Sequence, residues 1–330
     1  SNQLSPNGCL KKGSFAFSFF PTLKSYELEN LIDFGEVKLL FAGKLENWEE
    51  QSKGVNDIPV ISFPNYKNHS AIPNSTNWND LINRFEPKID NYHPKLEDIW
   101  TIVFTSGTTG DPKGVVIDYN TIYLTKDIIE NKVNPLAVNR NGNNTFLSYL
   151  PLNHIFERVV VESSCLRYGG TMSFVESLDS FGKNLADVQP TTFAGVPRIY
   201  NKFREKVLEK MSQKKLNTLL KIPIISKIVK NKIKKSLGWS RARAIVSGAA
   251  FLPQEIIDWY CKLEVNILNG YGMTENCCVC SYLDTKSRRG KGSVGLPWDM
   301  VEGKIGDDGS ILNKGPFLLK EYFKNKEYTD

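Results

Sequence analysis

The chain has 330 residues, 41% hydrophobic and 24% charged, enough apolar material for a large core or about two packed units of ~150 residues, which excludes a disordered chain. The formal net charge of +6 suits an anionic substrate, a membrane surface or nucleic acid and selects none of them. Six cysteines, at 9, 165, 261, 277, 278 and 280, have neither the density nor the spacing of a disulfide scaffold, so the sequence reads as cytoplasmic.

Near the start, Lys11-Lys12 ahead of Gly13 to Phe20 imitates a secretion signal, but the apolar stretch ends at Pro21 and no small-residue cleavage site follows. The alternation of Phe15, Phe17 and Phe19 predicts a strand instead. The sequons at Asn68, Asn74 and Asn143 then read as chance products of an Asn-rich sequence. Leu28, Leu31 and Ile32 have helical spacing, and Val37 to Ala42 is a compact apolar run ending at Gly43, as a buried strand would be. Asn65 to Thr76 reads as a surface connection, and Ile99 to Phe104 as a second buried strand. From Arg198 to Trp239 there are thirteen Lys or Arg against two Glu, so the basicity is local. Ile199, Phe203, Val207 and Met211 repeat every four residues; after Pro223, Ile225, Ile228, Val229, Ile233 and Leu237 resume the pattern, predicting two basic amphipathic helices. Such helices either dock on anionic lipid or present a solvated basic face. The stretch lacks interleaved aromatics, and no nucleic-acid partner is expected. No stretch reaches the ~20 apolar residues of a membrane-spanning helix.

The strand at Ile99 to Phe104 runs directly into Thr105-Ser106-Gly107-Thr108-Thr109-Gly110-Asp111-Pro112-Lys113-Gly114, followed by the apolar Val115-Val116-Ile117. The glycines let backbone N–H groups turn toward a phosphate, the hydroxyls add donors, and Lys113 adds a point charge. That chemistry suits a nucleoside triphosphate. It departs from the GxxxxGK[ST] loop, because Gly110 is followed by Asp111-Pro112 and no Ser or Thr follows Lys113. Farther on, Gly290-Lys291-Gly292-Ser293-Val294-Gly295 is a literal GxGxxG, but the Leu296-Pro297 after it cannot open the helix a dinucleotide site requires; it reads as a turn into a small β-rich segment. Cys277-Cys278-Val279-Cys280 has neither the second cysteine pair nor the neighbouring His that would complete a zinc site, so no structural metal is expected.

The ten-residue loop resembles the phosphate loop of the AMP-forming acyl-adenylate synthetases, the superfamily of acyl-CoA ligases, luciferase and peptide-synthetase adenylation domains. Further resemblances follow in the superfamily's order. Leu150-Pro151-Leu152-Asn153-His154-Ile155-Phe156-Glu157-Arg158 and Phe193-Ala194-Gly195-Val196-Pro197-Arg198 resemble segments of its long-chain fatty-acid CoA ligases. Ser247-Gly248-Ala249-Ala250 resembles the segment flanking adenine, and Gly270-Tyr271-Gly272-Met273-Thr274-Glu275 resembles the signature that holds adenine and magnesium. The resemblance implies that Thr105, Ser106, Gly107, Thr108, Thr109, Gly110 and Lys113 hold the ATP phosphates, while Gly248, Ala249, Tyr271 and Gly272 surround the adenine. It implies that Thr274 reaches the α-phosphate and Glu275 binds Mg²⁺, so that Lys113, Thr274 and Glu275 act on the reacting groups. Chemistry agrees: a carboxylate is a hard oxygen ligand for Mg²⁺, and a tyrosine offers a flat face to adenine. His154, between apolar neighbours, reads on its own as a core histidine; the resemblance makes it, with Gly270, a substrate-site residue that orients the acyl carboxylate or closes its tunnel, without an acid–base role.

The fold implied is α/β, with layered sheets and helices: 1–97 a remnant of a first α/β unit, 98–281 the nucleotide- and acyl-binding region, and 282–330 a small β-rich segment. The activity implied is ATP-dependent conversion of a long-chain fatty acid to acyl-AMP and then acyl-CoA, with Mg²⁺ as cofactor and coenzyme A as co-substrate. Superfamily members continue with an Asp for the ribose hydroxyls, a hinge and a lid carrying a Lys, none of which follows here, and the chain begins at Ser1 inside the first unit. A fragment, a natural truncation or a decayed paralogue, weak or inactive as a ligase, is therefore expected. Adenylation of an aryl or amino acid, and a non-catalytic acyl- or nucleotide-binding remnant, remain open beside it.

Overall fold

The structure, a computed structural model, describes residues 16–64, 70–86, 93–105, 112–132, 142–284, 293–298 and 300–329. The strands in chain order are β1 (Phe17–Ser18), β2 (Leu40–Ala42), β3 (Val60–Ser62), β4 (Thr76–Asn77), β5 (Ile99–Thr105), β6 (Lys113–Asp118), β7 (Thr145–Ser148) and β8 (Thr171–Phe174). They continue with β9 (Thr192–Gly195), β10 (Ala244–Ser247), β11 (Leu268–Tyr271), β12 (Ser281–Asp284), β13 (Leu296–Pro297), β14 (Glu302–Ile305), β15 (Ile311–Lys314) and β16 (Glu321–Tyr322). Among the described residues they form sheets of order β1-β5-β6-β16, β2-β3-β4 and β13-β12-β11-β10-β9-β7-β8, with β14-β15 as a separate hairpin. This is the layered α/β architecture the sequence implies.

The central strands of the first sheet are covered on both faces, which is why they read as unbroken apolar runs. Val115, Val116 and Ile117 of β6 are fully buried, and Trp100, Ile102 and Val103 of β5 nearly so. The Phe-rich strand contracts to β1, parallel to β5, with the Phe17 and Phe19 rings stacked on Phe104; Phe15 lies outside the described residues. The helix Ser25–Gly35 buries Leu28, Leu31 and Ile32, as their spacing predicts. Val37 does not begin the next strand: its amide bonds the Ile32 carbonyl at 3.0 Å, closing the helix, and β2 starts at Leu40.

The basic stretch forms three helices, Pro197–Lys210, Gln213–Leu220 and Pro223–Ser236, rather than the two expected. Met211 carries the four-residue periodicity but is extended (φ −152°, ψ 113°), and the Ser212 hydroxyl accepts from the Lys215 amide to start a new helix. Leu216 and Ile233 anchor this layer in a core that also holds Phe193, Tyr200, Phe203, Trp239 and Tyr260. Two buried phenols then tie the helices to the sheet: Tyr260 donates to the Tyr200 carbonyl at 2.8 Å, and Tyr200 donates to the Val246 carbonyl of β10 at 2.7 Å.

That anchoring sets the functional edge. β9, β10 and β11 run parallel, so their carboxyl ends, at Gly195, Ser247 and Tyr271, open on one side of the sheet. A crevice outside the carboxyl ends of parallel strands is where α/β proteins place ligands. β12 and β13 extend this sheet antiparallel from β11, and β16 returns to pair with β6 of the first sheet. Ser293 to Gly295 lead into β13 and no helix follows, in keeping with a turn; Gly290 to Gly292 lie outside the described residues.

Candidate nucleotide and acyl site

A cavity of about 650 Å³ opens at this edge. Its polar lining includes Thr105, Lys113, Ser247, Thr274, Glu275 and Tyr322, with the backbones of Gly248, Ala249, Gly270 and Gly272 between them. Its apolar lining includes Phe156, Val160, Val246, Leu268, Val279 and Trp298, and His154 also faces it. Residues separated by more than two hundred positions in the sequence, Thr105 and Tyr322 among them, thus share one space. Ser106, Gly107, Thr108, Thr109 and Gly110 lie outside the described residues; Thr105 and Lys113 on either side of them pair across the β5–β6 ladder and both line the cavity. Tyr271, expected against adenine, is not among the lining residues; it lies in β11 opposite Ser281.

The turn carrying Thr274 and Glu275 is pinned from several sides. Met273 donates its amide to Asn276 Oδ1 at 2.9 Å, and the Leu319 amide bonds the Glu275 carbonyl at 2.6 Å. Cys277 and Cys278 follow with φ of 50° and 63°, a left-handed pair that costs an ordinary side chain roughly 1–2 kcal/mol per residue. The compaction leaves no room at Gly272, where a Cβ would strike the Cys278 backbone. The Tyr322 hydroxyl donates to Glu275 Oε1 at 3.1 Å; burial, then the charge of Glu275 and this bond, push the phenol up to about 12. Ser247 Oγ is fully buried without a hydrogen-bond partner and lines the cavity, an orphan that a polar ligand atom would satisfy.

His154 sits at the start of a helical segment whose Glu157–Glu162 stretch is wound as a π-helix, continuing as an α-helix through Ser163–Tyr168. Its Nδ1 accepts the Phe156 amide at 3.2 Å, which leaves the imidazole proton on Nε2. Burial holds its pKa below the ordinary value, so the ring is a neutral donor at pH 7. Behind it, Arg158 is fully buried, stacked over Trp100 at 4.4 Å, donating to Thr101 Oγ1 at 2.8 Å and paired with Glu162 at 3.2 Å. Arg158 is a structural tie between this segment and β5, and it leaves the cavity wall to Ile155, Phe156, Val159 and Val160.

Residues 6–323 match the AMP-binding enzyme family. The chain belongs to that family. Among similar AMP-binding enzymes, long chain acyl-CoA synthetase 3 of Arabidopsis thaliana is 27% identical over 99% of this chain and 56% of its own length. The peroxisomal long chain acyl-CoA synthetase 7 of the same plant is 33% identical over 72% of this chain and 37% of its own. The chain therefore spans about half the length of the first of these relatives. A solved structure of the anthranilate CoA ligase AuaEII in complex with anthranoyl-AMP superposes with a TM-score of 0.73 at 19% identity, covering 98% of this chain and 59% of that one, which shows a shared fold. Ser247, Trp298 and Tyr322 are among the cavity residues of this family member that escaped sequence reasoning. Ser247 stood inside a quoted motif, while the other two are brought in by sheet pairing that no local pattern announces.

Proposed function

We propose that this chain carries the nucleotide- and acyl-binding region, at 98–281, of a ligase that uses ATP to activate a long-chain fatty acid and passes the acyl group to coenzyme A. The observation that carries this reading is one cavity in which Lys113, Ser247, Thr274 and Glu275 adjoin Phe156, Val160, Leu268 and Trp298. Such a lining suits a charged headgroup beside a nucleotide with a hydrocarbon chain running from it.

In the first step a carboxylate oxygen attacks the α-phosphorus; its bond to the pyrophosphate oxygen breaks and acyl-AMP forms. In the second the coenzyme A thiol loses its proton, bonds the acyl carbon and expels AMP. Lys113, Thr105 and the loop around Ser106 to Gly110 hold phosphate oxygens, Thr274 meets the α-phosphate, and the His154 Nε2–H orients the carboxylate. These are positioning and charge-neutralising roles. The donor set fits a magnesium ion that arrives with its nucleotide. Glu275 is the one carboxylate in the described lining, and no cluster of three His, Cys, Asp or Glu that could hold a metal unaided occurs among the described residues. When bound, the ion would neutralise charge on the phosphates.

The test is a thermal-shift series with Mg·ATP and palmitate, benzoate or phenylalanine, followed by trapping of acyl-AMP with hydroxylamine. Stabilisation confined to palmitate with ATP, and palmitoyl hydroxamate formed only slowly, as a weak ligase would form it, is the expected result. Equal response to all three acids would overturn the long-chain assignment, and binding without hydroxamate would leave a non-catalytic binder.

A lipid surface is the source this chemistry favours for such an acid. No helix among the described residues is long and apolar enough to cross a membrane, but the helices Gln213–Leu220 and Pro223–Ser236 carry Ile224 at 78% and Ile228 at 61% exposure, with many lysines and no Asp or Glu between them. We propose contact with anionic lipid there. Sedimentation with vesicles should rise with anionic lipid content and fall when Lys227, Lys234 and Lys235 become Gln; indifference to both would leave a solvated basic face.

A further inference from the structure

The segment Glu321–Thr329 folds as a hook at the polar side of the cavity, which its Tyr322 lines. β16 pairs with β6, and the Phe323 amide bonds the Gly114 carbonyl at 2.7 Å, directly beside Lys113. The hook closes on itself: the Tyr322 amide donates to Thr329 Oγ1 at 3.0 Å, and the Thr329 hydroxyl donates to the Asn325 carbonyl at 2.8 Å. This fixes the two tyrosines. Tyr322 donates its hydroxyl to Glu275 Oε1, and Lys113 Nζ lies 3.7 Å from the centre of the Tyr328 ring and 5.9 Å from that of Tyr322. The two charged side chains expected to meet a metal–nucleotide are thus both held by one nine-residue element.

We propose that this hook is part of the nucleotide site: Tyr322 is a positioning residue that orients Glu275 for a divalent cation, and Tyr328 holds Lys113 until a phosphate replaces its ring. The proposal rests on the reading of the cavity as a Mg·ATP site. A carboxylate that meets a metal through one oxygen is commonly oriented by a hydrogen bond to the other, and losing such a partner weakens metal binding. The contact of Lys113 with Tyr328 acts in the opposite direction. A cation over an aromatic face is attracted to it, so the lysine must leave that face to reach a phosphate, and removing the ring favours the ligand. A role in packing alone gives no such difference of sign.

The experiment is calorimetric titration of the 330-residue chain with ATP in excess Mg²⁺, with ATP in a chelator, and with AMP in the same chelator. Tyr322→Phe should weaken Mg·ATP binding three- to tenfold and leave AMP within twofold. Tyr328→Leu, which keeps an apolar side chain but removes the aromatic face, should tighten Mg·ATP binding two- to fivefold, while Tyr328→Phe should match the parent. Weakening of all ligands alike by Tyr322→Phe and Tyr328→Leu would overturn the proposal and make the hook a packing element. Unchanged binding in both would overturn it as well. Parent chain that binds ATP no better with Mg²⁺ than without would overturn the metal–nucleotide reading itself, and the hook's role with it.

Discussion

The two sides of the cavity are built on opposite principles. The side that carries His154 and Phe156 belongs to the interior: Ile155, Phe156, Glu157 and Arg158 are all buried, and the segment is fastened through Arg158 to Trp100, Thr101 and Glu162. The side that carries Lys113, Glu275 and Tyr322 lies at the ends of strands, where side chains are half-buried and held by one hydrogen bond and by cation–aromatic contacts. The first fixes shape, and its charges are costly to disturb. The second keeps polar groups near solvent, where a ligand can replace their present partners at small cost to the fold.

The sharpest way to break this contrast is Arg158→Ala. Removing one member of a buried ion pair leaves an uncompensated charge and typically costs about 3–5 kcal/mol; here Glu162 loses this cation, and Thr101 and Trp100 lose their contacts with it. A large fall in denaturant midpoint is expected. A loss below about 1 kcal/mol would mean that the inner side is no more tightly built than the outer.

Glu157→Gln comes next. The Glu157 carboxyl is fully buried, neither oxygen has a hydrogen bond of good geometry, and burial raises its pKa to about 7 from an ordinary 4.5. Tyr149 and Glu162 are the titratable groups that feel or add to its charge. A folded-state pKa above the unfolded one favours the protonated form, so the contribution to stability is fully present below pH 4.5 and is lost as pH rises toward 7. At 1.36 kcal/mol per unit, the loss amounts to about 3 kcal/mol at most. The parent should therefore lose stability between pH 4.5 and 7 relative to Glu157→Gln, whose side chain stays neutral. Parallel pH profiles for the two proteins would count against a buried ionisable Glu157.

How much of this could be read in advance follows the same division. The strand Ile99 to Phe104, the helix over Leu28 to Ile32 and the grouping of Lys113, Gly248, Thr274 and Glu275 at one cavity were legible, because each depends on a contiguous pattern or a motif of a few residues. Tyr322 and Trp298 were not, because they reach the cavity through the pairing of β16 with β6 and of β13 with β12. The tie made by Arg158 was hidden for a related reason: a charged residue in a motif suggests a ligand contact, and only the register of the π-helix turns it onto Trp100. Met211 shows periodicity misleading, since four-residue spacing survived one position beyond the helix that Ser212 restarts.

The smallest effect on stability is expected from the same chemical change on the outer side. Glu275→Gln keeps a side-chain oxygen for the Tyr322 hydroxyl and disturbs no buried ion pair, so its unfolding free energy should stay within about 0.5 kcal/mol of the parent, the range of changes away from buried networks. Its effect should appear in binding instead. An amide is a poorer ligand than a carboxylate for a hard cation, so Mg·ATP should bind about tenfold more weakly, near 1.4 kcal/mol. AMP without Mg²⁺ should be unaffected, because the lost charge acts through the metal. Measured side by side, Glu157→Gln would change the pH dependence of folding and Glu275→Gln the magnesium dependence of binding. Equal weakening of Mg·ATP and AMP by Glu275→Gln would remove the metal from the argument and reduce Glu275 to a residue that shapes the turn.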